Sequence, residues 1–94
     1  MEPRGPYAAV FVHGCDRPGI VAGIAGVLAR VGVNILDISQ TVLRGVFSMA
    51  MIVDLGGARV GLEELRSMLE EEARRLGVEV SVYSLDVLRY MQRP

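Results

Sequence analysis

The stretch from His13 to Asn34, HGCDRPGIVAGIAGVLARVGVN, limits most strongly what this chain can fold into. An apolar extended run leads into it, a polar turn and one helical segment make up most of it, and a second extended run follows. The apolar residues of the helical segment recur at intervals of three and four and so form one stripe. They are Ile20, Val21, Ile24, Val27, Leu28 and Val31. This pattern predicts a strand–helix–strand unit whose helix packs against a sheet.

The flanking residues set the predicted ends of this helix. Pro18 suits a first helical turn, where a missing N–H costs little. Asp16 is placed to cap the helix or to complement its positive end. Gly32 is a typical left-handed stop. We therefore predict a turn over residues 14–17 and a helix from Pro18 to Val31.

The rest of the chain contains further strands and a second helix. In the second strand Leu36, Ile38 and Val42 alternate with polar residues, which predicts one apolar and one polar face. Arg44 and Gly45 predict a hairpin turn. A second amphipathic pattern predicts a helix over Gly61–Leu76. The predicted strands are Tyr7–His13, Val33–Leu43, Val46–Asp54 and a last strand that starts at Val78.

The order βαββαβ predicts an α+β fold of the ferredoxin-like type. Right-handed crossovers give a four-stranded antiparallel sheet with both helices on one face and with the first and third strands central. One domain is expected over residues 7–87, after a frayed N-terminus over residues 1–6. The C-terminal tail, residues 88–94, follows it, and the spacing of Leu85, Leu88 and Met91 indicates a short helix there. The helix-free face and the edge of the second strand lack cover, so we expect self-association as a dimer or higher oligomer.

Composition excludes several classes of function. The 94 residues carry a net charge of −1 and no Lys, so neither nucleic acid nor a membrane surface is an expected partner. One cysteine and no recognisable leader or membrane span predict a cytoplasmic protein. His13 and Cys15 are two residues apart, yet the chain has no other His or Cys to complete a metal site or a catalytic pair. We therefore predict no metal, no cofactor and no catalytic residue.

Residues 16–43, DRPGIVAGIAGVLARVGVNILDISQTVL, resemble the ACT-domain family. The likeness rests on Asp-x-Pro-Gly before the helix, a Gly stop, Asn-Ile, and Ile-Ser-Gln in the following strand. Together with the βαββαβ order it covers almost the whole chain and is most similar to small stand-alone ACT proteins of bacteria and archaea. The resemblance implies a non-catalytic regulatory domain that binds an amino acid or a similar small metabolite at a subunit interface.

The resemblance also implies where that ligand binds, namely where the loop after the first strand meets the start of the second strand. One half of the site is then Gly14, Cys15, Asp16, Arg17, Gly19 and Ile20, and the other half is Asn34, Ile35 and Leu36. Backbone N–H groups at the helix start favour a carboxylate, and Asp16 is placed to receive an ammonium group. We interpret the helix start as facing the strand start.

Other functions remain open from the residues alone. An acylphosphatase-like small hydrolase on the same topology would use Arg17 and Asn34 as a pair. An RNA-binding module would need aromatic residues on two central strands and a basic surface, whereas the third strand offers Phe47 alone. An oligomerisation module that binds no ligand is a further alternative.

Overall fold

The six predicted elements are present in the computed structural model, which describes residues 5–85. The tail predicted over residues 88–94 therefore lies outside the described residues. The strands are β1 Tyr7–Cys15, β2 Asn34–Leu43, β3 Val46–Asp54 and β4 Val78–Ser84. The helices are α1 Ile20–Arg30 and α2 Leu62–Leu76.

The strands form one antiparallel sheet in the order β2-β3-β1-β4. The predicted ferredoxin-like arrangement, with the first and third strands central, is confirmed. Both β2 and β4 are edge strands. The helices pack on one face, and their buried stripes meet the buried residues of the strands in a single core. The largest fully buried side chains are Ile20, Ile24, Leu28, Met51, Leu65, Leu69, Val10, Val12, Val27 and Val53.

The opposite face of the sheet, here called the open face, carries no helix. Alternation along each strand and the strand register assign its residues. They are Tyr7, Ala9, Phe11, His13 and Cys15 of β1; Asp37, Ser39, Thr41 and Leu43 of β2; Val46, Ser48, Ala50, Ile52 and Asp54 of β3; and Glu79, Ser81 and Tyr83 of β4.

The loop between β1 and α1 differs from the prediction. The strand continues to Cys15 because Gly14 and Cys15 still pair with β3. The helix begins at Ile20, with Gly19 as its N-cap at φ 91° and no side chain bonded to that end. Placing Pro18 in the first turn and Asp16 as the cap was therefore wrong. The left-handed conformation at Gly19 turns the chain into the helix after Pro18.

The strand β2 also differs from the predicted alternation. A register irregularity between Ile35 and Asp37 leaves Leu36 without a partner in β3. Ile35, Ile38 and Val42 oppose buried residues of β3, so they lie on the helix side, whereas Leu36 is part of the bulge. The predicted hairpin turn is confirmed, because Arg44 and Gly45 both have positive φ, as a tight two-residue hairpin requires.

Asp54 ties the N-terminal segment to the sheet. It is 5% exposed, and its Oδ1 accepts hydrogen bonds from the N–H groups of Gly5 and Gly56, each at 2.8 Å. The N–H of Leu55 also donates to the carbonyl of Pro6 at 2.8 Å. Gly5 and Pro6, which were expected to fray, are therefore held in place.

Replacing this carboxylate should destabilise the domain. We expect Asp54→Ala to lower the free energy of unfolding by about 1–3 kcal/mol, because two partly buried N–H groups lose a charged acceptor. For a domain of this size that is about 4–8 °C in Tm for each kcal/mol. Thermal unfolding followed by circular dichroism measures it. Asp16→Ala, which removes an exposed carboxylate, is the control, and its free energy of unfolding should stay within about 0.5 kcal/mol of the parent's. Equal losses in both variants would contradict the role of Asp54 in holding the N-terminal segment.

Candidate functional site

The loop between β1 and α1 lies at the end of the sheet that carries the β2–β3 hairpin. Cys15 is level with Val46 in β3 and so with Leu43 in β2. The N–H of Asp16 donates to the carbonyl of Gly45 at 2.9 Å. The hairpin turn therefore holds the start of the loop, and the Asp16 side chain is exposed beside it.

Arg17 is directed toward the end of α2. A Cβ built on Gly77, the C-cap of α2, would lie 3.0 Å from Nη1 of Arg17. A guanidinium at this position complements the negative end of the helix dipole. The side chain of Arg17 therefore extends to the C-terminus of α2, which weakens its case as a ligand-binding residue.

The first turn of α1 offers backbone donors. The N–H of Gly23 donates to the carbonyl of Gly19 at 2.9 Å, whereas the earlier N–H groups of this helix have no backbone acceptor among the described residues. A Cβ on Gly19 would meet nothing within 4 Å, so the space beside this residue is open. The Ile20 side chain is buried, so this residue can contribute its N–H alone to a ligand. Gly14 abuts β4, since its Cβ would lie 2.9 Å from Cγ1 of Val78.

Two glycines of this region should respond to alanine in opposite directions. Gly19→Ala should destabilise the domain by about 1–2 kcal/mol, because an L-residue is strained in the left-handed region. Gly26→Ala should stabilise it by about 0.5–1 kcal/mol, because the position is helical and its Cβ would meet nothing within 4 Å. Urea unfolding measures the free energy of unfolding of each variant, which should fall for Gly19→Ala and rise for Gly26→Ala relative to the parent. A gain for Gly19→Ala would contradict the observed helix start.

The second half of the predicted site lies at the other end of the sheet. Asn34 is level with Asp54 in β3 and so with Tyr7 at the start of β1. It is about 30 Å along β2 from Leu43 at a typical strand rise. The side chain of Asn34 is exposed, Ile35 is half-buried on the helix side, and Leu36 lies in the bulge. The interpretation that the start of α1 faces the start of β2 is therefore wrong within one chain.

This separation also argues against the hydrolase alternative. Arg17 and Asn34 cannot contact one small substrate in a single chain, because they lie at opposite ends of the sheet. Among residues 5–85 no three His, Cys, Asp or Glu side chains are grouped so as to hold a metal ion. His13 and Cys15 lie on the same side of β1, and both are exposed.

The most exposed apolar surface lies along β2 and its hairpin. Ile38 and Val42 remain 42% and 55% exposed although they lie on the helix side, because the helix layer does not cover β2. The segment Ile38–Leu43, here called the β2 edge, contains no charged residue and no Pro. The N–H of Ile38 donates to Oδ1 of its neighbour Asp37 at 2.9 Å, so it is directed away from β3. Sequence analysis predicted an uncovered edge, but not that both of these residues would lie beyond the helices.

The fold and the loop define a small ferredoxin-like domain with an open strand edge. The family model of the ACT domain matches residues 7–83. A UPF0237 protein of Pyrobaculum aerophilum is 60% identical over 86 residues, which cover 92% of this chain and 96% of that protein. The chain belongs to the ACT-domain family, and the resemblance seen in the sequence is confirmed.

Solved structures agree with this assignment. An ACT domain protein from Streptococcus pneumoniae has a TM-score of 0.77 at 36% identity, covering 87% of this chain and 92% of its own. The regulatory subunit of aspartate kinase from Thermus thermophilus has a TM-score of 0.65 at 25% identity, covering 83% of this chain and 50% of its own. ACT domains are typically regulatory and ligand-binding rather than catalytic. In the described part of the chain, neither helix is long and apolar enough to span a membrane.

Proposed function

We propose that this chain is a regulatory ACT domain of the cytoplasm that binds an amino acid or a similar small metabolite between two copies of itself. The observation that carries the proposal is the uncovered β2 edge. It lies in an edge strand and has exposed apolar side chains. An unprotected edge of this kind is a template for pairing with another strand.

Pairing of two β2 edges would also bring the separated halves of the site together. A two-fold axis perpendicular to the sheet makes the two β2 strands antiparallel and keeps all helices on one side. With the axis near Ile38 and Ser39, the start of the partner's β2 lies level with the β1–α1 loop of the first copy. Asn34 of one copy then stands near Asp16 and Gly19 of the other, and the dimer contains two equivalent sites.

The chemistry of the combined site suits a zwitterion. The N–H groups in the first turn of α1 and the positive end of its dipole attract a carboxylate. The exposed carboxylate of Asp16 can accept hydrogen bonds from an ammonium group, and Asn34 offers both a donor and an acceptor. Binding would then shift assembly or the affinity for a further protein by differential affinity for the two states.

Thermal unfolding in the presence of amino acids tests this proposal. A ligand at 100 times its Kd adds about 2.7 kcal/mol, which is on the order of 10–20 °C for a domain of this size. We expect a subset of amino acids to raise the Tm, and Asp16→Ala and Asn34→Ala each to abolish the rise. Glu64→Ala, at an exposed position on α2, is the matched control and should leave the rise unchanged.

Three results would contradict the proposal. If no amino acid or related metabolite raises the Tm of a dimeric protein, the module that oligomerises without a ligand is favoured instead. If the Tm rises equally in the parent and in Asn34→Ala, the ligand binds elsewhere. Hydrolysis of an acyl phosphate that is lost in Arg17→Ala would favour the hydrolase.

A further inference from the structure

We propose that Arg66 closes the free edge of β4 to strand pairing, so that copies of this chain join through β2 alone. Both β2 and β4 are edge strands, and an unprotected edge strand is a template for pairing with a second copy. A chain with two open edges would build an endless sheet, whereas a chain with one open edge stops at a dimer. Dimer formation through β2 rests on the proposed function, but the closure of β4 does not depend on it.

The pairing of β4 with β1 shows which backbone groups point outward from β4. The N–H of Leu85 donates to the carbonyl of Tyr7 at 3.0 Å, so these two residues form a hydrogen-bonded pair. Hydrogen-bonded and non-hydrogen-bonded pairs alternate along an antiparallel ladder. Val10 and Val82 lie three pairs further along and therefore form a non-hydrogen-bonded pair. The N–H and C=O groups of Val80 and Val82 thus point away from β1, toward the place where a further strand would pair.

Arg66 of α2 occupies this place. The helix α2 packs against β4, and Nη2 of Arg66 donates to the outward carbonyl of Val82 at 2.7 Å. Nη1 of the same guanidinium is paired with the carboxylate of Glu63, three residues earlier in α2, which holds the Arg66 side chain in this position. A neighbouring strand would lie about 4.8 Å from β4, so it could not approach Val82 without displacing the guanidinium.

The β2 edge has no comparable cover. No described side chain from another element hydrogen-bonds to it, and the N–H of Ile38 donates to its own neighbour, Asp37. Val42 of this edge is 55% exposed, whereas Val82 of β4 is 4% exposed. The two edges of the sheet therefore differ, and the charged side chain at β4 is a typical means of preventing edge-to-edge pairing.

Sedimentation velocity over a dilution series tests the closure of β4. We expect Arg66→Ala to raise the weight-average mass about twofold or more, because each new contact between two β4 strands joins two assemblies. The same change in the Ile38→Asp background, where β2 is blocked, should convert a monomer to a dimer. Arg75→Ala is the matched control, because it removes an ion pair with Glu72 on the same helix that does not contact a strand; its mass should equal the parent's.

Two further variants show whether the added association uses β4. Arg66→Lys retains a charged donor at this position and should sediment like the parent. Val80→Pro removes an N–H that the β1–β4 ladder does not use, and proline is tolerated at such edge positions. Added to Arg66→Ala, it should return the mass to the parent's value. Circular dichroism of each variant establishes that the domain is folded.

Three outcomes would overturn the closure of β4. If Arg66→Ala lowers the Tm and leaves the mass unchanged, Arg66 only ties α2 to β4. If Arg66→Ala and Arg75→Ala raise the mass alike, the loss of positive charge is the cause. If Val80→Pro does not reverse the rise, the copies associate elsewhere. A dimer that persists in Ile38→Asp and still grows in Arg66→Ala would overturn the β2 interface while supporting the closure of β4.

Discussion

Ile38→Asp is expected to convert the proposed dimer to a monomer at micromolar concentration. The side chain lies near the middle of β2, on the side where the helix layer stops short of the strand. A two-fold interface contains the substitution twice, and each lost burial of an Ile costs about 1.5–3 kcal/mol. The expected loss is thus on the order of 3–6 kcal/mol, or at least a hundredfold in the dimer Kd. Sedimentation velocity over a dilution series measures it.

Val46→Asp is the matched control for this change. Val46 is an aliphatic residue that is also exposed, but it lies on the central strand β3 and on the open face. It should leave the dimer intact if the β2 edge forms the interface. If Val46→Asp gives a monomer and Ile38→Asp does not, the copies associate through the open face, and the site across two β2 strands is wrong.

Mixing two binding-deficient variants is expected to restore ligand binding. In a homodimer of Asp16→Ala every loop is defective, and in a homodimer of Asn34→Ala every strand start is defective. A mixed dimer has one site with both defects and one site with neither. Because random association makes about half of the dimers mixed, about one quarter of all sites should recover. After the mixture has re-equilibrated, calorimetric titration measures the fraction of sites that bind. The ligand is the amino acid that raises the Tm of the parent.

The same mixture distinguishes a shared site from a local one. If both defects belonged to a site within one chain, each chain of the mixture would remain defective and no binding would return. Each variant alone, taken through the same procedure, gives the baseline for ligand binding. Combining Asp16→Ala and Asn34→Ala in one chain and mixing that chain with the parent gives a second check, because its mixed dimers should contain no intact site.

The sequence was sufficient for the fold because each element carries its own periodic signal. The apolar stripe of α1, the alternation in β3 and the Arg44–Gly45 turn each depend on near neighbours, and all three are confirmed. The errors lie where a contact or a backbone conformation that no periodic pattern shows determines the end of an element. β1 continues to Cys15 because β3 pairs with it, and α1 starts at Ile20 because Gly19 adopts a left-handed conformation.

The candidate site was less predictable for the same reason. Loop composition indicated Asp16 and Gly19 as accessible groups, and the structure leaves the Asp16 side chain exposed and the approach to Gly19 open. Whether Asn34 faces them depends on strand direction across the sheet, which is set by the crossover and not by any local pattern. The contact of Arg17 with the end of α2 joins residues about sixty positions apart, and no motif in either segment indicates it.

The distance between Asn34 and the β1–α1 loop in one chain bears on how such a protein would respond in a cell. A sensor whose recognition groups are divided between two molecules measures its own abundance as well as that of the metabolite. By thermodynamic reciprocity, the metabolite would tighten the dimer by the same factor by which dimerisation tightens the metabolite. Scarce protein would therefore require more metabolite for half-saturation, and the level of expression would set the threshold of the response.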